Sequence, residues 1–478
     1  MKSRRLGALI AITAMLSACG GGGTSSAPTA GTNTGASAAP PASTTCSLRS
    51  RQDWAADQLN EWYLFPETLP AVFNPAGFAT VSDYVDALTS VARGQGRDRF
   101  FTHLTSIAEE SAFFASGSSA GFGIRLSAST AQQRVFVSEA FEGAPALAAG
   151  IDRGTEILAI GTSAADLRTV SSIIAAEGTG GVTAALGPST AGTNRLLRVT
   201  DTRGVRDLSV TKAEFDLPPV SSRYGAQVIN DGGRQVGYVN LRTFISTADP
   251  ALRTAFGQFR TMGITDVIVD FRYNGGGLVS TAELMGDLLG RDRGPSDVFS
   301  FTTFRASKSA ENETRLFRPQ TQSIAPTRIA FIGTGGTASA SELVINAFIP
   351  YLRSNMALIG TNTFGKPVGQ IALDRPACDD RLRVVAFATQ NSARQGSYFT
   401  GLGAVVEASC QATDDITRPL GNPQEASTRA ALDFLAGRAC TRISVGEQGS
   451  LAARADGSRE LLSARQPTTM QREVPGAF

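Results

Sequence analysis

Histidine and lysine are scarce in this sequence of 478 residues. Its lysines and arginines number 44, but only four of these are lysines, and the chain has one histidine, His103. Mechanisms that move protons through histidine, such as a Ser-His-Asp triad, are therefore disfavoured. The net charge of +2 provides neither the basic surface of a nucleic-acid-binding protein nor an acidic tail. We expect no nucleic acid among its partners.

The first 18 residues have the features of a signal peptide, because basic residues at positions 2, 4 and 5 precede a short apolar run. The run is too short to span a bilayer, which needs about 20 apolar residues. Residues 16–19 resemble a bacterial lipobox, which predicts lipidation at Cys19; ordinary cleavage is the alternative. Residues 19–45 are rich in Gly, Ser, Thr, Ala and Pro and predict a flexible lipoprotein tether. We expect export and lipid anchoring at the periplasmic face of the bacterial envelope, on the outer membrane.

Four further cysteines follow, and an even number in an exported chain predicts two disulfides. We favour Cys378 with Cys410 and Cys46 with Cys440, from three connectivities. A zinc site is the alternative, but no Cys-x-x-Cys pair or histidine accompanies these cysteines. We expect no metal ion and no organic cofactor.

Hydrophobic spacing divides the remaining chain into four parts. Residues 46–115 have helical spacing and predict a small helical N-terminal domain, with His103 as a surface or core residue. Residues 118–213 change to short strands and glycine turns. Residues 222–440 alternate strands and helices, which favours a mixed sheet covered by helices. Residues 441–478 are rich in Arg, Gly and Ser, and we expect a poorly ordered tail.

Three segments combine glycine turns with reactive side chains, each after an apolar strand pattern: residues 270–278, 334–344 and 360–370. Acyl transfer needs an activated hydroxyl, a base and two N–H donors for the oxyanion. Lys366 could act as the base only when neutral, and burial can lower a lysine pKa by up to about 3–5 units. Each feature also has an ordinary interpretation, because Ser339-x-x-Glu342 fits a helix capping box and most lysines in polar turns are exposed.

Taken together and in order, these segments resemble the carboxyl-terminal processing peptidases, also called tail-specific proteases. The resemblance covers about residues 118–440. It implies an α/β (mixed α+β) fold with a Clp-protease/crotonase-like core, a PDZ domain and a helical cap. It assigns Ser339 of Ser-Ala-Ser-x-Glu as the nucleophile, Lys366 of Phe-Gly-Lys as the base and Gln370 as the support of the lysine.

The resemblance leaves two details of the site open. The implied oxyanion donors are the backbone N–H groups of Gly276 and Ala340. Ser341 is a rival nucleophile because its separation from Lys366 is closer to that of the family, although the alignment of Ser-Ala-Ser-x-Glu favours Ser339. Pro367 departs from the usual Gly-Lys-Gly turn.

Residues 118–213 resemble a PDZ domain through a Gly-apolar-Gly-apolar loop, a strand, a short helix and a further turn and strand. In such domains a peptide adds as an extra strand, and N–H groups of the loop hold its terminal carboxylate. The implied peptide-binding residues are Gly121, Phe122, Gly123 and Ile124. The alternative is a strand that is merely entered through glycine. Thr155 replaces an acid found in many relatives.

The resemblance therefore implies an exported serine endopeptidase that captures the C-terminal ends of protein substrates and cleaves them with a Ser339–Lys366 dyad. The expected partners are protein or peptide substrates with free C-termini and, through the lipid, the membrane; an adaptor or a homo-oligomer stays open. The alternatives are a non-catalytic peptide-binding lipoprotein with a protease-like core and a Ser/Lys esterase for small molecules.

Overall fold

The computed structural model describes residues 44–72, 74–445 and 459–478. The predicted signal peptide, Cys19 and the tether up to residue 43 lie outside these residues. Within the described ranges, no helix has both the length and the apolar character needed to cross a membrane.

The first region of the structure is mainly helical. Its elements are α1 (Leu48–Trp62), α2 (Val81–Leu88), α3 (Ser90–Gly94), β1 (His103–Ser106) and α4 (Ile107–Ser116). The hydroxyls of Ser47 and Thr80 accept N–H groups at the starts of α1 and α2 and so define where these helices begin. His103 lies on β1, where it is paired with Arg383, and not on a helix as the spacing suggested.

The second region, residues 118–216, is rich in β-structure and is called the β-rich region below. Its elements are β2 (Ser118–Gly121), β3 (Ile124–Ser129), β4 (Arg134–Ala140), α5 (Pro145–Ala148), β5 (Glu156–Gly161), β6 (Arg168–Thr169), α6 (Val170–Leu186), β7 (Asn194–Asp201), β8 (Gly204–Thr211) and β9 (Ala213–Asp216). Strands β3, β4, β5, β7 and β8 form one antiparallel sheet in that order, β6 adds to β5, and β2 pairs with β9. A hydrophobic cluster around Ile124, Val137 and Ile173 fills its interior.

The third region contains the largest core. Its strands are β10 (Ala226–Asp231), β11 (Arg234–Asn240), β12 (Asp266–Asp270), β13 (Val298–Phe304), β14 (Glu313–Leu316), β15 (Arg328–Gly333), β16 (Met356–Gly360), β17 (Val368–Arg375), β18 (Asp380–Gln390) and β19 (Ala408–Gln411). Its helices are α7 (Ala248–Thr261), α8 (Val279–Leu289), α9 (Ala340–Leu352) and α10 (Ala426–Leu435). The predicted mixed α/β class is confirmed.

Two sheets organise this third region. The first has the order β10-β11-β12-β15-β16-β19, and its strands from β11 onward are parallel. The second joins β1, β18, β13 and β14, with β17 on β18. The central parallel strands are uninterrupted apolar runs because both faces of the sheet are covered.

The parallel register explains why the three chemical segments lie together. Asp270 at the end of β12 pairs with Ile332 on β15, and Gly333 at the end of β15 pairs with Gly360 at the end of β16. The turns that follow these strands therefore leave the sheet at the same edge. Catalytic groups in sheets of this kind are found at the carboxyl ends of the strands.

The C-terminal segment is ordered by contacts with both earlier regions, so the expected poorly ordered tail is wrong for residues 459–478. It contains β20 (Glu460–Leu461), which pairs with β3, and α11 (Thr469–Glu473). Met470, Val474 and Ala477 are buried in one apolar cluster with Phe113. The high Arg, Gly and Ser content of residues 441–478 suggested disorder, because the few apolar residues that pack hardly change the overall composition. Residues 446–458 lie outside the described part of the chain.

The two predicted disulfides are present, but the predicted pairings are wrong. Cys46 bonds to Cys378, and Cys410 bonds to Cys440. Cys46 precedes α1, which packs on β18, and Cys378 lies in the turn between β17 and β18. Cys410 is on β19, against which α10 packs before the chain reaches Cys440. Packing across the sheets, and not proximity in sequence alone, selects the partners.

The Cys46–Cys378 bridge closes a far longer loop than the Cys410–Cys440 bridge, with separations of 332 and 30 residues. In the chain-entropy description, longer loops give more stabilisation. We expect Cys46→Ser/Cys378→Ser to lower the free energy of unfolding by about 2–5 kcal/mol, and by more than Cys410→Ser/Cys440→Ser. Urea unfolding measures both. A larger loss of stability on removing the Cys410–Cys440 bridge would contradict this expectation. A Cys46–Cys440 peptide in a non-reduced digest would contradict the pairing itself.

Candidate active site

Ser339 lies directly before α9, at the end of the turn that follows β15. Its φ of 54° is a left-handed conformation that costs a non-glycine residue about 1–3 kcal/mol. The side chain is partly exposed, and its backbone N–H donates to Glu342 Oε2 at 3.1 Å. The backbone of Ser339 is therefore strained, and its side chain remains accessible.

Gly276 lies against Ser339 and brings the glycine turn to the hydroxyl. A Cβ at position 276 would lie 2.8 Å from Ser339 Cβ and 3.2 Å from its Oγ. Gly276 also has a φ of 126°, which side chains rarely permit. Both the close approach and the backbone conformation require glycine here.

Ser341, the rival nucleophile, is fully buried. Its Oγ donates to the carbonyl of Asn274 at 3.1 Å. This bond ties α9 to the glycine turn. The N–H of Ala338, which precedes α9, donates to the same carbonyl at 3.0 Å and strengthens the connection. Of the two serines, the geometry favours Ser339 for contact with a substrate.

Lys366 lies in the turn between β16 and β17. Its Nζ donates to Gln370 Oε1 at 2.7 Å and is 4.9 Å from the centre of the Phe101 ring. Gln370 in turn donates from Nε2 to the carbonyl of Phe101. Burial lowers the pKa of Lys366, which favours the neutral amine. The partner on its Nζ is an uncharged amide, so it adds no full negative charge that would stabilise the ammonium.

Glu342 joins the serine turn to the lysine turn, a role that sequence reasoning limited to helix capping. Its Oε2 accepts the N–H groups of Ser339 and of Lys366, the latter at 2.7 Å. Its Oε1 accepts the Thr363 hydroxyl at 2.6 Å and the Gly365 N–H at 2.7 Å. The carboxyl is buried, and burial raises its pKa despite these donors. One side chain thereby fixes the backbone on both sides of the site.

His103 lies at the site although the sequence placed it among helices of the cap. It lines the same cleft as Lys366 and Gln370, a space of about 2580 Å³. Its Nδ1 donates to the carbonyl of Phe101 at 2.8 Å. Burial, and then the positive charge of Arg472, hold the pKa of His103 well below its ordinary value of 6.5. A neutral ring that donates to a backbone carbonyl acts as part of the wall.

The two implied oxyanion donors differ in this structure. The N–H of Gly276 donates to Asn274 Oδ1 at 2.9 Å, whereas the N–H of Ala340 has no acceptor among the described residues. Within these same residues, Ser339 Oγ and Lys366 Nζ share no hydrogen bond. The structure thus brings the predicted groups to one edge of the sheet without a fully assembled oxyanion site. No group of three His, Cys, Asp or Glu side chains in the described ranges could hold a metal ion.

Comparison with known proteins agrees with this arrangement. Residues 235–395, which include the serine and lysine turns, match the model of peptidase family S41. Over 331 residues the chain is 27% identical to the carboxyl-terminal-processing protease of Synechocystis, covering 67% of this chain and 69% of the relative. It is 26% identical over 242 residues to the carboxy-terminal processing protease CtpA of Bacillus subtilis, covering 50% and 46%.

The chain is similar to the carboxyl-terminal processing peptidases, and its match to peptidase family S41 lies at residues 235–395. It is also 29% identical over 184 residues to the chloroplastic C-terminal processing peptidase of Tetradesmus obliquus, covering 35% of this chain and 36% of the relative. The matched parts thus span between about a third and two thirds of these relatives. A solved structure from Bacteroides fragilis, described as a candidate S41 protease, shares the fold with a TM-score of 0.61 and 23% identity, over 80% of this chain and 97% of that one.

A buried ion network supports the glycine turn that carries Gly276. Arg272 donates to Asp270 at 2.8 Å and to Glu425 at 2.9 and 3.0 Å, and all three side chains are fully buried. Tyr238 also donates to Asp270 at 2.8 Å. The sequence signal for this network is the pair of charged residues, Asp270 and Arg272, that directly follows the apolar residues 267–269. The network anchors the turn that carries Gly276.

The predicted peptide-binding loop has its N–H groups aimed at a backbone oxygen of the same chain. Gly123 and Ile124 donate to the carbonyl oxygen of Phe478 at 2.9 and 3.2 Å. Gly123 has a φ of 74°, and a Cβ there would lie 1.9 Å from the Cβ of Ala144. Phe122 and Ile124 point into the apolar cluster of the β-rich region. The loop therefore has the N–H donors and the glycine that strand addition needs, and the oxygen of Phe478 occupies those donors.

We expect Glu342→Gln to destabilise the protein. The carboxylate has two acceptor oxygens for its four hydrogen-bond donors, whereas a Gln side chain has one acceptor oxygen and an NH₂ group that cannot accept. Leaving buried donors unpaired costs about 1–3 kcal/mol. Urea unfolding measures the loss, with Glu313→Gln on the exposed end of β14 as the control. Equal stability of the two variants would contradict the bridging role of Glu342.

Proposed function

We propose that the chain is a serine endopeptidase in which Ser339 is the nucleophile and Lys366 the general base. The observation that carries this proposal is the partly buried Lys366, held by the neutral Gln370 and joined through Glu342 to the turn of a partly exposed, strained Ser339. A lysine in ordinary solvent would be protonated near neutral pH and could not accept a proton. Its burial makes the required neutral form accessible.

In the proposed reaction, neutral Lys366 accepts the proton of Ser339 Oγ as this oxygen bonds to the scissile carbonyl carbon. The carbonyl oxygen becomes negative and is stabilised by the N–H of Ala340, and by that of Gly276 once it leaves Asn274 Oδ1. Lys366 then gives the proton to the leaving amine as the C–N bond breaks. Water gives a proton to Lys366 as its oxygen bonds to the acyl carbon. Lys366 then returns this proton to Ser339 Oγ as the bond between Oγ and the acyl carbon breaks, which releases the carboxylic acid and restores the starting state. The serine and lysine must approach one another for the first step, as is common in sites that tighten with substrate.

We also propose that residues 118–213 act as a PDZ domain that captures the C-terminal ends of protein substrates. Three features support this: the outer edge of β3 accepts an added strand, here from the C-terminal segment of the chain, the loop at Gly121–Ile124 has N–H donors, and Phe122 and Ile124 belong to an apolar cluster. Capture there would feed an unfolded segment toward the cleft. Export with a lipid on Cys19 is part of the same proposal, and two disulfides fit an oxidising compartment.

The proposed roles predict distinct effects for the two serines. Ser339→Ala and Lys366→Ala should each lower kcat/KM on an unfolded protein substrate by about 10³-fold or more, because each removes a group that reacts. Ser341→Ala should change it less than tenfold, since it removes only a buried hydrogen bond. Cleavage is followed by gel electrophoresis and mass spectrometry. Full activity of Ser339→Ala, or inactivity of Ser341→Ala alone, would overturn the assignment.

The proposed base also predicts a pH profile. Because Lys366 must be deprotonated to act, kcat/KM should rise with pH and level off above the pKa of Lys366. Burial places this pKa below the ordinary value of 10.5, so the rise should be centred below that value. Lys366→Arg should be inactive at every pH tested, since a guanidinium stays protonated. A profile with no rise, or an active Arg variant, would rule out Lys366 as the base.

A further inference from the structure

The segment from residue 459 to Phe478 covers the outer edge of β3, where the proposed function places the end of a substrate. Residues Glu460–Leu461 pair with Ser127 and Ala128, and the N–H of Leu462 donates to the carbonyl of Leu126 at 3.0 Å. After α11 the chain returns to the same edge. There the N–H of Leu126 donates to the carbonyl of Gly476 at 2.8 Å. The available edge of β3 is thus occupied by the chain itself.

The last residue of this segment is held as the proposed capture site would hold a ligand. Phe478 donates its N–H to the carbonyl of Ile124 at 2.8 Å, and its carbonyl oxygen accepts from Gly123 and Ile124. Its side chain is buried in the apolar cluster that includes Phe122 and Ile173. Gly121 is required as well, since a Cβ there would lie 3.0 Å from the carbonyl carbon of Phe478. The contacts combine strand addition with an apolar pocket for an aromatic side chain.

The same segment passes over the candidate active site. The N–H of Gly275, next to the predicted oxyanion glycine, donates to the carbonyl of Glu473 at 3.0 Å. A Cβ at Gly275 would lie 2.7 Å from the carbonyl oxygen of Arg472. Glu473 and Arg472 also line the cleft of Lys366. A polypeptide substrate laid along the glycine turn would meet this backbone.

Glu473 also opposes the chemistry proposed for Lys366. Among the charged groups that act on Lys366, Glu473 raises its pKa most, followed by Asp98, whereas Arg383 and Arg472 lower it. A negative charge on Glu473 favours the ammonium over the neutral amine that the base must be. The segment thus occupies space in the cleft, and its Glu473, when ionised, favours the unreactive form of the lysine, whereas its Arg472 acts in the opposite direction.

We propose that residues 459–478 are a built-in competitor: they fill the peptide groove of the β-rich region and cover the catalytic turns until a polypeptide ending in a small residue and an aromatic residue displaces them. This inference rests on the proposed function, because a substrate end and the segment 476–478 would need the same edge of β3. A ligand attached to its own site acts at an effective concentration in the millimolar range, so a free ligand must compete with it. Ala477 and Phe478 define the chemistry of the displacing ligand.

Binding tests the proposal without catalysis. In the Ser339→Ala background, a fluorescent peptide Glu-Val-Pro-Gly-Ala-Phe, which copies residues 473–478, is titrated by anisotropy. Removal of residues 474–478 should tighten binding at least tenfold relative to the full chain. Phe478→Asp, which keeps the length and places a charge in the apolar pocket, should act in the same direction. Arg465→Ala, on the exposed part of the segment, is the matched control and should bind as the full chain does.

Cleavage tests the second half of the proposal. With Ser339 present, removal of residues 474–478 should raise the rate on an unfolded protein ending in Gly-Ala-Phe at least fivefold, and Phe478→Asp should raise it as well. Thermal unfolding by circular dichroism identifies a variant that no longer folds. A peptide ending in Asp should not bind any of the variants.

The outcomes separate this inference from the proposed function. Tighter peptide binding in both tail variants with no cleavage by any protein would support the competitor and refute the peptidase. Cleavage with unchanged rate and unchanged peptide affinity in both folded tail variants would support the peptidase and overturn the competitor. Loss of activity in Phe478→Asp while the protein remains folded would also overturn it, because the segment would then be a required part of the site.

Discussion

The carboxylate of Glu342 is the constraint on which the geometry of the site depends. It accepts hydrogen bonds from the backbone of Ser339 and from three groups in the lysine turn, and it does so where water does not reach. A buried carboxylate is costly unless its oxygens are bonded, so these four donors and their acceptor stabilise one another. The strained φ of Ser339 persists because this network fixes the backbone next to it. Loss of this carboxylate would remove the hydrogen bonds that hold both the serine turn and the lysine turn.

The sheet beneath these turns could be derived largely from the sequence. Apolar runs such as those that form β12 and β15 predicted strands of a mixed sheet covered by helices. The structure adds their parallel pairing, which places the turns that follow them at one edge. The positions of Ser339, Lys366 and Gly276 follow from this rule together with the resemblance to the family. The alignment of Ser-Ala-Ser-x-Glu already favoured Ser339 over Ser341. The burial of Ser341 and its bond to Asn274, which have no signature in a short motif, add a physical reason.

Other features depend on contacts between distant parts of the chain, which periodicity does not encode. Cys46 finds Cys378 because α1 packs on β18, and His103 reaches the cleft because β1 joins that same strand. The C-terminal segment looked disordered by composition, yet Phe478 and a few neighbours satisfy an open strand edge and an apolar pocket. An unpaired edge is a strong driving force for order, since its N–H and C=O groups need partners.

Arg125 on β3 connects the occupied groove to the catalytic region. It is fully buried and donates to the carbonyl of Tyr273, beside the glycine turn, at 3.2 Å and to that of Pro475. It also pairs with Glu139, which Arg242 of the core binds at 2.7 Å. Departure of the segment 473–478 would leave a donor of Arg125 without its acceptor. The edge of β3 and the glycine turn of the candidate site therefore share one buried polar network.

The proposed activation of Ser339 by Lys366 governs how fast the serine reacts with an electrophile. Reaction of the chain lacking residues 474–478 with a fluorophosphonate, followed by mass spectrometry of the modified peptide, measures that rate. We expect a single adduct on Ser339 whose rate of formation rises with pH and is lost in Lys366→Ala. An adduct on Ser341, or equal labelling of Ser339 with and without Lys366, would contradict it.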